Sequence, residues 1–258
     1  LLLKNRTILI TGASTGIGQG IALALAQDGA KLAVTSRSHE RLADTMSLLK
    51  QADAAFITAA LDVTDEDQII DVINRVNNEF GRLDGLVNNA GIFLPEKSLE
   101  ATYENFSSQL DTNLIGLMLC CKNAAKIMRT QKDGGKIVNI ASNAGKVGFP
   151  LYAAYSATKA GVIRLTQTLA NEWAKDNINV NAVCPGGVET PMLHAVADFI
   201  SQETKGNSQE IFETLVPPQL GRHITAFEVG KVVAMLLSDY AEIIRGQSIS
   251  IDGGETPF

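Results

Sequence analysis

The chain has 258 residues, 45% of them hydrophobic and 19% charged, with a formal net charge of −6. That suits a folded protein with a sizeable core. It argues against a nucleic-acid surface, which needs a basic excess, and no apolar run is long enough to span a bilayer. The 3 cysteines, Cys120, Cys121 and Cys184, form no spaced disulfide framework, which fits a reducing cytoplasm. The opening Leu1-Leu2-Leu3-Lys4-Asn5-Arg6 places its charges after the apolar residues, the reverse of a secretory leader. His39, His194 and His223 lack metal-ligand spacing and read as exposed loop or helix-end residues, so no metal is expected.

In chain order, strand-like runs fall near 7–11, 31–36, 55–60, 84–88, 136–141, 178–183 and 246–251, with amphipathic segments between them. The first strand runs into Gly12-Ala13-Ser14-Thr15-Gly16-Ile17-Gly18 and then a helix. Glycines at the strand-to-helix turn let the backbone approach a pyrophosphate, which the free N–H groups at the helix start then bind. Gly12, Ser14, Thr15, Gly16, Ile17 and Gly18 are therefore candidate cofactor contacts. The same residues match G-x-S-x-G, so a second reading is a hydrolase with Ser14 as nucleophile and His194 or His223 as base. That elbow normally follows several strands, and it gives Gly18 no role.

The second strand ends Val34-Thr35-Ser36-Arg37-Ser38. An acid at this point would accept from the adenine ribose hydroxyls of NAD and repel a 2′-phosphate. Here no acid stands at the strand end, Glu40 falls in the next helix, and Arg37 offers a forked cationic donor with Ser36 and Ser38 beside it. NADP is expected, with NAD the alternative. The segment 65–80 follows as a helix, with Thr64 as N-cap, Ile69, Ile73, Val76 and Phe80 on one face, and Gly81 as the stop.

The strand at 136–141 leads to Ser142, whose hydroxyl can hold a substrate oxygen. The helix at 152–175 carries Tyr155 and Lys159, four apart and hence on one face. A cation beside a phenol lowers its pKa, so this pair reads as a general acid/base. The region 185–225, rich in Pro, Gly and mixed charge, reads as a substrate lid. Strands that are apolar on both faces and alternate with helices give one α/β domain over 1–258. It is expected to be a doubly wound, Rossmann-type parallel sheet of seven strands with helices on both faces.

TGASTGIG at 11–18, Asp62, NNAG at 88–91, Asn113, Ser142, YSATK at 155–159, PGGVET at 185–190 and DGG at 252–254 together resemble the short-chain dehydrogenases/reductases over nearly the whole chain. The resemblance implies strand order 3-2-1-4-5-6-7 and a catalytic set of Asn113, Ser142, Tyr155 and Lys159. Asn113 would hold a water that relays protons to Lys159, which would also bind the nicotinamide ribose. Asp62 and Val63 would meet adenine, Asn89, Ala90 and Gly91 would line the adenosine, and Pro185, Gly186, Val188 and Thr190 would seat the nicotinamide carboxamide. Asn88 would only tie strands together. The implied reaction interconverts a small carbonyl compound and its alcohol, with no nucleic-acid or membrane partner. A homotetramer paired through the 152–175 helix and the preceding long helix is implied as well.

Phe93, Leu94, Val147, Phe149, Leu151, Met192, Leu193 and Phe199 are candidate substrate-wall residues. Carrier-protein ketoreductases of the family typically read NNAGITRD where this chain reads NNAGIFLPE, which favours a small ketone while leaving that ketoreductase class as an alternative. A non-catalytic dinucleotide sensor is a further one, though such relatives tend to lose the tyrosine or lysine that this chain keeps.

Overall fold

A computed structural model describes residues 1–256. Strands β1 (Thr7–Ile10), β2 (Lys31–Ser36), β3 (Phe56–Ala60), β4 (Gly85–Asn88), β5 (Gly135–Ile140), β6 (Ile178–Pro185) and β7 (Ser248–Ile251) form one sheet in the order β3-β2-β1-β4-β5-β6-β7. Every pairing is parallel. β1 is paired on both edges, with Ile8 opposite Leu32 on one side and Gly85 on the other. Neighbouring helices depart to opposite faces from this β1–β4 junction, and in doubly wound sheets the crevice there receives the ligand.

The helices are α1 (Gly16–Gln27), α2 (Ala43–Gln51), α3 (Glu66–Phe80), α4 (Tyr103–Leu110), α5 (Leu117–Met128), α6 (Ala153–Glu172), α7 (Pro191–Thr204), α8 (Ser208–Thr214) and α9 (Ala226–Leu237). Successive residues of β1 feed two cores. Ile8 and Ile10 pack with Ile21 and Leu25 of α1, Leu49 of α2 and Val233 of α9. Leu9 points the other way, to Ile69 and Ile73 of α3, Cys121 of α5 and Val162 of α6. Both faces are covered, which is why the strands read as continuous apolar runs.

Several boundaries differ from the sequence reading. Asp65, not Thr64, caps α3, accepting from Asp67 N (3.0 Å) and Gln68 N (3.2 Å). Thr64 is engaged elsewhere: its hydroxyl donates to Asp62 Oδ1 at 2.7 Å. Gly81 ends α3 in the left-handed region, at φ 76°. The 152–175 helix is shorter at both ends than expected, and Pro185 still belongs to β6. The 185–225 region is built largely of α7 and α8. Its base is clipped by Glu189 N donating to Ile224 O (2.9 Å) and Ile224 N donating to Gly187 O (3.0 Å). Among the described residues no helix is long and apolar enough to cross a membrane.

Candidate active site

The loop after β1 is shaped for close backbone approach. Gly12 has φ +66°, and a Cβ there would fall 2.7 Å from Ala90 Cα; a Cβ on Gly18 would fall 2.2 Å from Gly12 O. No other residue type fits either position. Thr15, the N-cap of α1, makes no side-chain cap hydrogen bond, which leaves first-turn amides to meet an anion. Thr190, at the start of α7, stands across the loop, with its Cγ2 3.2 Å from where a Gly16 Cβ would be. Glycine-lined, amide-rich and bounded by β4 and the lid, the cleft fits a dinucleotide. Asn89 holds it together by donating to Thr11 O (3.2 Å) and Gly12 O (2.7 Å), a clamping role beyond the lining role expected. Asn88 donates to Asn139 Oδ1 at 2.9 Å and ties β4 to β5.

At the end of β2, Arg37 is exposed and makes no salt bridge among the described residues. The Ser36 hydroxyl donates to Ser38 O at 2.5 Å, so the donor the sequence reading counted on is turned onto the chain itself. The pKa of Glu40 is lowered, by its own backbone amide first and then by the nearby Ser38 hydroxyl. Asp62, partly buried, turns one carboxylate oxygen to Thr64 N (3.0 Å). Val63 is buried beside it, its carbonyl 2.7 Å from where a Gly116 Cβ would be.

Ser142, Tyr155 and Lys159 come together past the ends of β5 and β6. The Ser142 hydroxyl stands near enough to the Tyr155 phenol to lower its pKa. Lys159 is buried, donates to Ile140 O at 2.8 Å, and lies 5.5 Å from the Tyr155 ring centroid. Burial decides both titrations: it pushes the Tyr155 phenol up to about 12, against the lowering effect of the nearby Ser142 hydroxyl, and the Lys159 ammonium down to about 8. A low-dielectric pocket favours the neutral form of each group, and this outweighs the lowering of the tyrosine by the lysine that the sequence reading expected.

Asn113 lies in a π-helical segment, Asp111–Gly116, between α4 and α5. Such segments recur at functional sites. Its Oδ1 accepts from Ile92 N (2.8 Å) while its Nδ2 donates to Ile92 O (2.8 Å) and Thr158 Oγ1 (3.3 Å). Both amide hydrogens are engaged. A relay through Asn113 therefore needs its backbone carbonyl or the remaining lone pair of Oδ1.

Three neighbours escaped the sequence reading. Tyr152 stacks near Phe93 (centroids 4.5 Å apart) and Phe149 (5.6 Å), and Phe93 also meets Tyr155 edge-on (5.0 Å). Asn143 Oδ1 accepts from the Ser142 hydroxyl at 3.1 Å. Glu255 lies against Gly186, where a Cβ would fall 2.7 Å from its Oε2. Asn143 follows a residue already marked, and Tyr152 precedes one by three places. Nothing near Glu255 in the sequence points to the site except the DGG turn before it.

His194 and His223 lie against opposite ring contacts of Phe212 (centroids 4.0 and 4.2 Å) in the lid. Neither bonds Ser14 among the described residues, so the elbow has no base. His223 is not an exposed loop residue: both its ring nitrogens are buried. A separate cavity of about 310 Å³ opens at the far end of the sheet, lined by Arg6, Asp84, Lys136 and Asp239 among others. Its charges neutralise one another through Arg6–Asp84 and Lys136–Asp239 pairs, and it holds no acid/base pair of the Tyr155–Lys159 kind.

Residues 12–256 match the profile of a family described as enoyl-(acyl carrier protein) reductase. The chain is 38% identical to a short-chain dehydrogenase/reductase of Armillaria gallica, over 97% of this chain and 96% of that one. It is 36% identical to levodione reductase of Leifsonia aquatica (98% and 94%) and 38% identical to a 3-oxoacyl-(acyl-carrier-protein) reductase of Thermotoga maritima (98% and 98%). Actinorhodin polyketide ketoreductase, solved as a variant with NADPH, superposes with a TM-score of 0.93 at 34% identity, over 98% of each chain.

Proposed function

The chain belongs to the short-chain dehydrogenase/reductase family and is an NAD(P)-dependent oxidoreductase of the carbonyl/alcohol pair, and on that premise we propose that it acts on a small ketone with NADP(H), exchanging the proton at Tyr155. The observation that carries the assignment is the meeting of Tyr155, Ser142 and buried Lys159 at one point.

When bound, a nicotinamide cofactor would supply or take the hydride. Gly12, Ser14, Thr15, Gly16, Ile17 and Gly18 would hold its pyrophosphate, Asp62 and Val63 with Asn89, Ala90 and Gly91 its adenosine, and Pro185, Gly186, Val188 and Thr190 its carboxamide end. In reduction, negative charge grows on the substrate oxygen. Ser142 donates a hydrogen bond there and Tyr155 gives the proton. Lys159, which burial lowers to a pKa of about 8, is poised to re-protonate the phenolate close to neutral pH, and Asn113 connects it to solvent. Lys159 would also hold the nicotinamide ribose.

Arg37 supports NADP over NAD, since it lies exposed at the end of β2 without a salt bridge among the described residues. The Phe93, Phe149 and Tyr152 rings support a compact, partly apolar substrate. The Thermotoga maritima relative favours a second reading, reduction of a carrier-bound 3-oxoacyl group. Residues 1–258 act as one Rossmann-type domain with its lid at about 185–225, assemble as a homotetramer, and work in the cytoplasm, where the three free cysteines stay reduced.

The test is Tyr155→Phe. We expect a loss of NADPH oxidation with a ketone panel of about a thousandfold or more, with cofactor affinity changed less than threefold. Retention of a tenth of the rate removes the assignment. A wild type that binds NADPH and turns over nothing favours a sensor.

A further inference from the structure

The loop after β4 follows the catalytic residues one by one. A Cβ on Gly91 would fall 3.2 Å from Asn113 Oδ1 and 3.7 Å from Lys159 Nζ. The next residue, Ile92, donates its N–H to Asn113 Oδ1 (2.8 Å) and accepts from Asn113 Nδ2 on its carbonyl (2.8 Å). Leu94 is held the same way by Gln109: its N–H donates to Oε1 (3.3 Å) and its carbonyl accepts from Nε2 (3.1 Å). Both carboxamides are buried, Gln109 in α4 and Asn113 in the π-helical segment after it. They do for Ile92 and Leu94 what a paired strand does for alternate residues. Phe93, between the two, is fixed through both neighbours. Its ring meets Tyr155 in a T-shape, with centroids 5.0 Å apart and planes at 79°. Tyr152 meets Tyr155 at 82° but farther off, at 6.1 Å, and leans on Phe93 at 4.5 Å.

We propose that Phe93 is a positioning residue for the reaction: carried on this doubly clipped loop, its ring holds the Tyr155 phenol where it exchanges the proton. The proposal rests on the carbonyl/alcohol reading above and adds a residue to it. Tyr152 caps α6 and Lys159 lies within it, so both move with the helix that carries Tyr155. Phe93 comes from another element and ties the phenol to the sheet through β4. A tyrosine hydroxyl stands at the far end of its side chain, so a small swing of the ring carries it out of line. A misplacement on the order of 1 Å can cost about a hundredfold in rate. Perpendicular rings at this spacing attract each other edge to face, and that contact opposes the swing. Leucine fills space at such a point but has no ring edge to offer. A residue that only walls the substrate acts differently: it binds ground and transition state alike, and its loss raises KM with kcat kept.

The experiment measures ketone reduction by the whole chain with NADPH, in wild type, Phe93→Leu and Phe93→Tyr. Phe93→Leu should lower kcat and kcat/KM together by about tenfold or more, with the ketone KM moved less than about threefold. Its solvent deuterium isotope effect on kcat/KM should exceed that of wild type, because a misplaced phenol slows the proton step. Phe93→Tyr, which keeps the ring, should restore both the rate and the isotope effect. The NADPH dissociation constant, read by fluorescence, should stay at the wild-type value in both variants. Wild-type kcat in Phe93→Leu overturns the proposal, whether KM is kept or raised. So does a loss of rate with an unmoved isotope effect, one that Phe93→Tyr fails to restore, or one that comes with lost NADPH affinity. If Tyr155→Phe is as fast as wild type, the carbonyl/alcohol reading through Tyr155 falls, and the proposal with it.

Discussion

Lys159 carries a stability cost that the sequence did not disclose. Its folded pKa, about 8, lies below the model-compound 10.5 because the ammonium is buried. Above pH 8 the folded state releases that proton while the unfolded state keeps it, so the unfolded state binds more protons and stability rises with pH. The three buried thiols, all pushed up from 9.0, pull the other way, because above that pH the unfolded state loses protons that the folded state keeps. Between pH 8 and 9 Lys159 should therefore offset part of the alkaline loss of stability, by at most ~1.4 kcal/mol per pH unit. Urea midpoints should fall more steeply with pH in Lys159→Met than in wild type; equal slopes would refute the attribution. Arg37 gives a second residue-scale test. Arg37→Ala should raise KM for NADPH at least tenfold and for NADH little, because only the former carries the 2′-phosphate. Equal effects would show that Arg37 reads no phosphate. Tyr155, Lys159 and Ser142 were legible because four-residue helical spacing and a strand end are local facts. The engaged hydroxyl of Ser36 was not, since a turn decides where its proton points. The place of Glu255 was not, since Gly186, which it meets, lies far from it in sequence and only folding brings the two together.

At the scale of elements, the strands were readable because burial on both faces writes them as Val/Ile runs. The lid helices were not. α7 and α8 are largely exposed and α8 is short, and the same composition also suits loop. The π-helical segment at Asn113 leaves no periodic signature either, since one widened turn shifts the pattern by a single residue. An ion pair ties the lid to the opposite rim: Lys97, in the loop after β4, pairs with Glu203 near the end of α7. Both side chains are partly solvated, so the tie is weak. Lys97→Ala should raise substrate KM by roughly two- to fivefold while leaving the melting temperature within about a degree. An unchanged KM would show that this pair does not hold the lid over substrate.

At the scale of the molecule, α6 presents Ala153, Ala157 and Ala160 to solvent, near exposed Tyr103, Phe106 and Ile115. Small residues let a second copy's helix approach closely, and apolar neighbours give that approach its driving force. Light scattering at micromolar concentration should return about 110 kDa, four times the chain's 27.5 kDa, and Ala157→Arg should lower it. A monomer mass in wild type would remove the assembly proposal.

β1 is made before the other six strands yet sits inside the sheet, and Ile8 meets Gly85 of β4 only after seventy-seven further residues are made. At a synthesis rate of about 5–20 residues per second, that edge stays open for roughly 4–15 s. Through that interval the nascent chain exposes an unpaired apolar strand, the kind of edge that recruits another strand or a chaperone. The dinucleotide cleft, which needs Ala90 against Gly12, also does not exist until β4 docks, so the cofactor cannot rescue the half-made chain.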